Sequence, residues 1–322
     1  MQMMHAVVVD HPGAPDVLSY REVPRPALKP GWSLVRVHGF GINHSEVFTR
    51  QGLSPSVEFP RILGIEVVGE VAATTAPDQF TTGQTVISIM GEMGRAFDGS
   101  YAEYVLLPNE QLYPITTDLS WAELAALPET GYTAYGALRG LRLQPQDHVL
   151  IRGGSSGVGM MAAKLAHALQ PGIRVTSTTR HADKAATLQE QGADQVLTGE
   201  LTHLPAAATF DKILDLIGPK TAKDSLQHLT PGGIVSSTGE LGGQWAFDAF
   251  EPIGDIPNNR YLTSFSSGEV EPQLLQELVD LVTEKHVDIH PTKVFTLREV
   301  AQAHAEIESR QGWGKYVVVI EA

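Results

Sequence analysis

The sequence predicts an α/β protein in two parts, a β-rich barrel-like domain and then a doubly wound parallel sheet. Three observations predict it. The 322 residues give room for two cores at the usual ~100–200 residues per domain, and 42% hydrophobic with 19% charged residues is a globular composition. Short β-rich runs alternate with Gly, Pro and Asn turns as far as about residue 118. From about residue 119 to 266, strand and helix patterns take turns around one glycine-rich loop, which marks a parallel sheet flanked by helices.

In the first part the predicted strands are 5–9, 33–37, 66–71, 85–89 and 101–107. In the second, strand 149–151 runs into a helix starting at Gly157, followed by strand 174–177, helix 183–191, strands 195–197 and 212–215, helix 221–229, and strands 234–237 and 261–265. The helix after Gly157 places Val158, Met161, Ala162, Leu165, Ala166 and Leu169 on one continuous face. Only Lys164, His167 and Gln170 are strongly polar there, so it packs on a sheet, and Pro171-Gly172 stops it. After Gly268 comes a helix with Leu274, Leu275, Leu278, Val279 and Val282 on one side, then a strand near 293–295, a helix over 299–308 and a strand over 316–320. The domains read as 1–118, 119–266 and a C-terminal segment 267–322.

The strand ending at Arg152 leads into Gly153-Gly154-Ser155-Ser156-Gly157-Val158-Gly159 and then a helix. A dinucleotide needs this order: small residues let the backbone approach the pyrophosphate, and helix-terminal N–H groups receive its charge. Gly154, Ser155, Ser156, Gly157, Val158 and Gly159 follow Gly-x-Gly-x-x-Gly with serine at the second glycine, so the motif alone is weak and its placement strengthens it. A glycine-rich turn without ligand is the competing explanation. Further on, where NAD sites present a carboxylate to the ribose, this chain has Thr178, Thr179 and Arg180, with Lys184 close by and no carboxylate before Asp183. Cations and hydroxyls suit a 2′-phosphate, so NADPH is expected over NADH; a solvated turn capped by Arg180 is the alternative. Gly239, Phe265, Ser266 and Ser267 follow later strands and should line the nicotinamide side, since ligands lie beyond the carboxyl ends of parallel strands.

The chain has no cysteine, which excludes disulfides, thiolate nucleophiles, iron–sulfur clusters and Cys-ligated zinc. Twelve histidines leave His/Asp/Glu metal sites open. The formal charge of −14 works against nucleic acid and anionic membranes as partners. The N-terminus lacks the basic and apolar regions of a signal peptide, and no apolar stretch approaches the roughly 20 residues that span a bilayer. A cytoplasmic protein is expected.

Several motifs in order along the chain resemble the medium-chain dehydrogenase/reductase superfamily, and within it the zinc-free quinone oxidoreductase branch to which zeta-crystallin belongs. They include Gly41-Ile42-Asn43-His44-Ser45-Glu46, Leu63-Gly64-Ile65-Glu66, Gly99-Ser100-Tyr101-Ala102-Glu103-Tyr104, the glycine loop, Pro231-Gly232-Gly233, Ala303-His304 and Gly314-Lys315. The resemblance implies a GroES-like N-terminal domain that the C-terminal segment rejoins, a Rossmann domain between them, an active site in the cleft, and a homodimer formed through the cofactor domain. Zinc-dependent relatives hold metal where this chain has Asn43, Ile65 and Ala126, all non-ligands, so no metal is expected; a set from His38, His44 and Glu46 is the alternative.

The resemblance makes Asn43 the foremost catalytic candidate, its amide donating to developing oxyanion charge, with closure of an Asx turn as the alternative. Those relatives often carry a tyrosine where Phe48 stands, so a possible proton donor is missing and quinones are favoured over simple enones. Arg50 and Glu66 are further candidates, with ion-pair roles equally open. Thr130 or Thr133 is implied near the nicotinamide, against a helix N-cap role, and Lys315 at the cofactor's phosphates. The expected function is NADPH-dependent reduction of quinones or conjugated carbonyl compounds. Alternatives are a 2-enoyl or alkenal double-bond reductase and a low-turnover NADPH-binding sensor or structural protein.

Overall fold

The apolar run Ala6-Val7-Val8-Val9 lies in β1 (Met3–Val9), which pairs antiparallel with β2 (Leu18–Pro24) in a computed structural model that describes residues 2–309 and 312–321. The N-terminal part continues with β3 (Trp32–Ile42), α1 (His44–Arg50), β4 (Arg61–Ile62), β5 (Glu66–Thr74), β6 (Thr85–Ile89), β7 (Tyr104–Pro108), β8 (Tyr113–Pro114) and α2 (Trp121–Leu124). Next come α3 (Pro128–Leu141), β9 (His148–Arg152), α4 (Gly157–Leu169), β10 (Arg174–Thr179), α5 (Ala185–Glu190), β11 (Gln195–Thr198), β12 (Phe210–Asp215), α6 (Pro219–Gln227) and β13 (Leu229–Ser237). The chain ends with α7 (Pro252–Asp255), β14 (Tyr261–Thr263), α8 (Pro272–Glu284), β15 (Lys293–Phe295), α9 (Val300–Glu308) and β16 (Tyr316–Val319).

The chain divides into two units. The first joins residues up to Glu129 with Ser267–Asp280 and those from Ile289 onward; the second is Thr130–Ser266 with Leu281–Asp288. In the first, β2-β1-β4 form a small sheet and β15-β16-β3-β5-β6-β8 a larger one, with β7 also on β3. Val7, Val35, Phe40, Val67, Tyr101 and Val318 meet in its core. The second unit holds one wholly parallel sheet ordered β11-β10-β9-β12-β13-β14, the dinucleotide-binding arrangement in which strand order reverses beside the first strand. The first boundary falls eleven residues later than the 118/119 of the sequence reading, because α2 packs on β3, β5 and β16 and Leu124–Leu127 are fully buried there.

Three elements escape the sequence pattern for visible reasons. β2 buries only Leu18 deeply and leaves Arg21, Glu22 and Pro24 exposed, so no apolar alternation marks it. α1 is seven residues long and buries Glu46 and Arg50. α3 contains Gly131, Gly136 and Gly140, poor helix formers; at Gly136 a Cβ would lie 2.1 Å from the Phe265 ring, so the glycine admits that ring. No helix among the described residues is long and apolar enough to cross a membrane.

Candidate active site

In the second unit the loop between β9 and α4 is built by close approach. Gly153 takes φ +83°, its N–H donates to Thr178 Oγ1 at 3.1 Å, and the Gly154 N–H donates to the Thr178 carbonyl at 2.9 Å. A Cβ at Gly154 would lie 2.6 Å from Ser177 Cβ, and one at Gly159 would lie 2.5 Å from the Gly153 carbonyl. Ser156 caps the helix: its hydroxyl accepts the Gly159 N–H at 3.1 Å and donates to Gly153 O at 2.8 Å. Ser155, Gly157 and Val158 complete a turn whose helix N-terminus carries first-turn donors and a positive dipole end. The residues fit a pyrophosphate.

At the end of β10, Thr178 and Thr179 are buried, and Arg180 is exposed with no ion-pair partner among the described residues. Lys184 follows in the next turn; burial pulls its ammonium below the usual lysine range and the charge of Arg180 adds to this, Asp183 opposing. Two cations therefore share this strand end. Gly239 lies where the end of β13 crosses β12, since a Cβ there would be 2.4 Å from Leu216 O. Phe265 packs edge-on to Tyr132, ring centroids 5.4 Å apart. Thr130 and Thr133 are buried inside α3, which begins at Pro128, so neither is its N-cap. Ser266 is exposed in the second unit, whereas Ser267 belongs to the first, its hydroxyl donating to Glu129 Oε1 at 2.9 Å.

The first unit gathers a charged cluster. Asn43 stands at the N-terminus of α1, yet its carboxamide makes no cap bond. Its Nδ2 donates to Glu66 Oε1 at 2.8 Å and reaches Glu46 Oε1 at 3.4 Å, while its Oδ1 accepts from Lys315 Nζ at 2.7 Å. Lys315 also donates to Glu66 Oε1 at 2.6 Å, and Glu66 Oε2 accepts the Glu129 N–H at 2.6 Å. A Cβ on Gly41 would lie 2.2 Å from both Glu66 Oε1 and Lys315 Nζ, so only glycine leaves room for this pair. An ammonium on one side and carboxylates on the other fix which way the amide points.

Three expectations change here. Lys315, expected at the phosphates, is 6% exposed, and within the first unit its ammonium is held by Asn43 and Glu66. Asn43 presents its amide hydrogens to carboxylates and its oxygen to Lys315, and it makes no cap bond at α1, so the Asx-turn alternative goes. Arg50 is fully buried away from the cluster's polar contacts: it donates to Gly13 O at 3.0 Å and pairs with Glu308 at 2.6 Å, which makes it an internal brace. Phe48 is half-buried beside His44. His38 stacks on Trp121 and faces Glu70 at 3.1 Å, so the His38–His44–Glu46 set does not assemble; no metal-holding group of three side chains occurs among the described residues.

Sequence reasoning missed the burial of Glu46 and the role of Lys315 beside Asn43. Glu46 was visible only as part of a motif, and its short helix has too few residues for a readable period. Behind the cluster, Tyr101 and His304 form a buried pair at 2.9 Å; burial, aided by the charge of Arg50, pulls the imidazole down to about 3.

Residues 29–117 match the family described as alcohol dehydrogenase GroES-like domain, and residues 191–318 match that described as zinc-binding dehydrogenase. A quinone oxidoreductase of Pseudomonas aeruginosa is 27% identical, over 95% of this chain and 97% of its own length. A 2-haloacrylate reductase of a Burkholderia species is 28% identical, over 99% of this chain and 100% of its own. A mycobacterial protein solved in complex with NADPH superposes with a TM-score of 0.78 at 26% identity, covering 98% of this chain and 99% of that one. With a GroES-like β-rich unit, a parallel dinucleotide-binding sheet and relatives of this kind over nearly its whole length, the chain belongs to the medium-chain dehydrogenase/reductase superfamily and is an oxidoreductase of its quinone oxidoreductase branch.

Proposed function

We propose that the protein reduces quinones, and other conjugated carbonyl compounds, with hydride from NADPH and without a metal. The observation that carries this reading is the ammonium of Lys315, held by Asn43 and Glu66 in a site whose Ile65 and Ala126 supply no metal ligand. NADPH, when bound, supplies the hydride. The chain's own residues hold it: the Gly153–Gly159 turn and the α4 terminus take the pyrophosphate, and Arg180, Lys184, Thr178 and Thr179 take the 2′-phosphate. Thr130, Thr133, Gly239, Phe265 and Ser266 are assigned to the nicotinamide side.

An acceptor that gains hydride gains negative charge on oxygen, and a fixed cation near that oxygen lowers the barrier. Lys315 has three N–H donors, two of them taken by Asn43 and Glu66, and the third is assigned to the acceptor. With phenylalanine at position 48, the reduced oxygens take protons from water, which suits quinones. The acrylate-reducing relative supports the second reading, reduction of a conjugated double bond. A cytoplasmic homodimer completes the proposal; Tyr261, 58% exposed, lies in the outer strand of the parallel sheet, and Ile253, 93% exposed, lies in α7, both apolar surface for a second copy to cover.

Stopped-flow mixing of the NADPH complex with a panel of quinones and enones tests the reading. Fast oxidation by quinones is expected. Tight NADPH binding with no acceptor accelerating its oxidation overturns it and leaves a sensor or structural role. In the same assay Arg180→Ala should raise the KM for NADPH about tenfold or more and leave that for NADH within about twofold. An equal loss for both, or better use of NADH by the unmutated protein, overturns the 2′-phosphate assignment.

A further inference from the structure

Glu46 is a carboxyl that its surroundings leave half used. It is 1% exposed; Oε1 receives the Ile65 N–H at 3.3 Å and the Asn43 amide at 3.4 Å, while Oε2 is buried with no hydrogen-bond partner. An ionised oxygen in that state carries a large desolvation cost, a neutral carboxyl a smaller one. The charged groups that act on it are Glu66 from β5 and Lys315 ahead of β16; Arg50, one turn along α1, acts with Glu46 and Glu66 on Tyr101, which is bonded to His304. Both cations already have carboxylates: Lys315 has Glu66 and Arg50 has Glu308. A second negative charge at Glu46 has no cation of its own.

We infer that Glu46 keeps a proton in the working protein and is a positioning residue: its neutral carboxyl leaves Lys315 paired with Asn43 and Glu66, its third N–H turned to the acceptor oxygen. Burial first, and repulsion by Glu66 second, push the Glu46 carboxyl up to about 8, with Lys315 pulling it back. Above that range an ionised Glu46 draws the ammonium and the Asn43 amide toward itself. The cluster then carries net negative charge where the acceptor must gain it. This inference rests on the proposed reduction, and its test separates the two.

The experiment is kcat against pH, from about 6 to 10, with saturating NADPH and a 1,4-naphthoquinone, for the wild type and Glu46→Gln. The wild-type rate should fall about tenfold per pH unit above pH ~8. Glu46→Gln, neutral at every pH, should stay within about threefold of wild type near neutrality and lose the alkaline fall. A fall that persists in the variant, or a folded variant about 100-fold slower at neutral pH, overturns the inference. A second readout needs neither variant nor turnover: pH-difference infrared spectroscopy of the wild type should show a protonated-carboxyl C=O stretch near neutrality that disappears by pH ~9.5. Absence of that band overturns the inference too. If no quinone oxidises NADPH at any pH, the proposed function fails while the infrared band still decides Glu46.

Discussion

Lys315 reaches Asn43 Oδ1 and Glu66 Oε1 at 2.7 and 2.6 Å, and both contacts lie in the β-rich unit. On the proposed reading, replacing the ammonium acts on the acceptor and leaves the cofactor's phosphates alone. Lys315→Met should lower kcat by roughly 10²-fold while KM for NADPH stays within about threefold. A rise in the cofactor KM without loss of kcat would return Lys315 to the phosphates. At this scale the sequence was legible by halves. Asn43 stood out because the family motif contains it, but its partner lies 272 positions away, and no local pattern reports such a pairing. Arg50 was a site candidate with an ion-pair role equally open; burial and its bond to the Gly13 carbonyl show a brace.

Among elements, the β9–α4–β10 set was the most readable, since strand, glycine turn and helix each carry their own signal. Burial of α4 is wider than the single predicted face, taking in Gly159, Met160 and Ala163 as well. Gly159 is the tightest joint in this set. A methyl group there meets Gly153 O at 2.5 Å and Gly154 Cα at 2.8 Å, all backbone, so helix and loop must separate. Gly159→Ala is expected to weaken NADPH binding about tenfold or more and to lower Tm by several degrees, read by fluorescence titration and calorimetry. Unchanged binding would detach the loop from the pyrophosphate. By contrast α1, seven residues with a charged buried face, gave no periodic signal, because a helix of two turns repeats nothing.

For the whole molecule, two buried groups bend stability in opposite directions with pH. Glu46, raised from 4.5 to about 8, contributes stability that is full below pH ~4.5 and lost as pH rises to about 8. His304, lowered from 6.5 to about 3, contributes stability that is full above pH ~6.5 and lost as pH falls toward 3. Between roughly pH 4.5 and 6.5 the two contributions act against each other. Denaturant unfolding across pH should show Glu46→Gln flattening the alkaline decline and exposing the unopposed rise from His304 below about pH 6.5; an unchanged decline would assign it to other groups. The order of β-rich part, α/β part and returning tail was legible from pattern and resemblance, whereas the unit boundary inside α3 was not, because a helix passing from one unit to the next carries no break in its sequence.

The return of β16 to the edge of β3 also sets an order of assembly. Thr130–Ser266, the bulk of the second unit, are one continuous stretch, completed by Leu281–Asp288. β3, some 270 residues upstream of its partner, must wait with one side of its Gly39–Ile42 segment unpaired until Tyr316–Val319 are made. During that interval the growing chain shows an apolar strand edge, Phe40 and Ile42 included, to every neighbouring nascent chain, and it has as yet no lysine to neutralise Glu66. Because Lys315 directly precedes β16, closing the sheet edge and completing the charged cluster are one event.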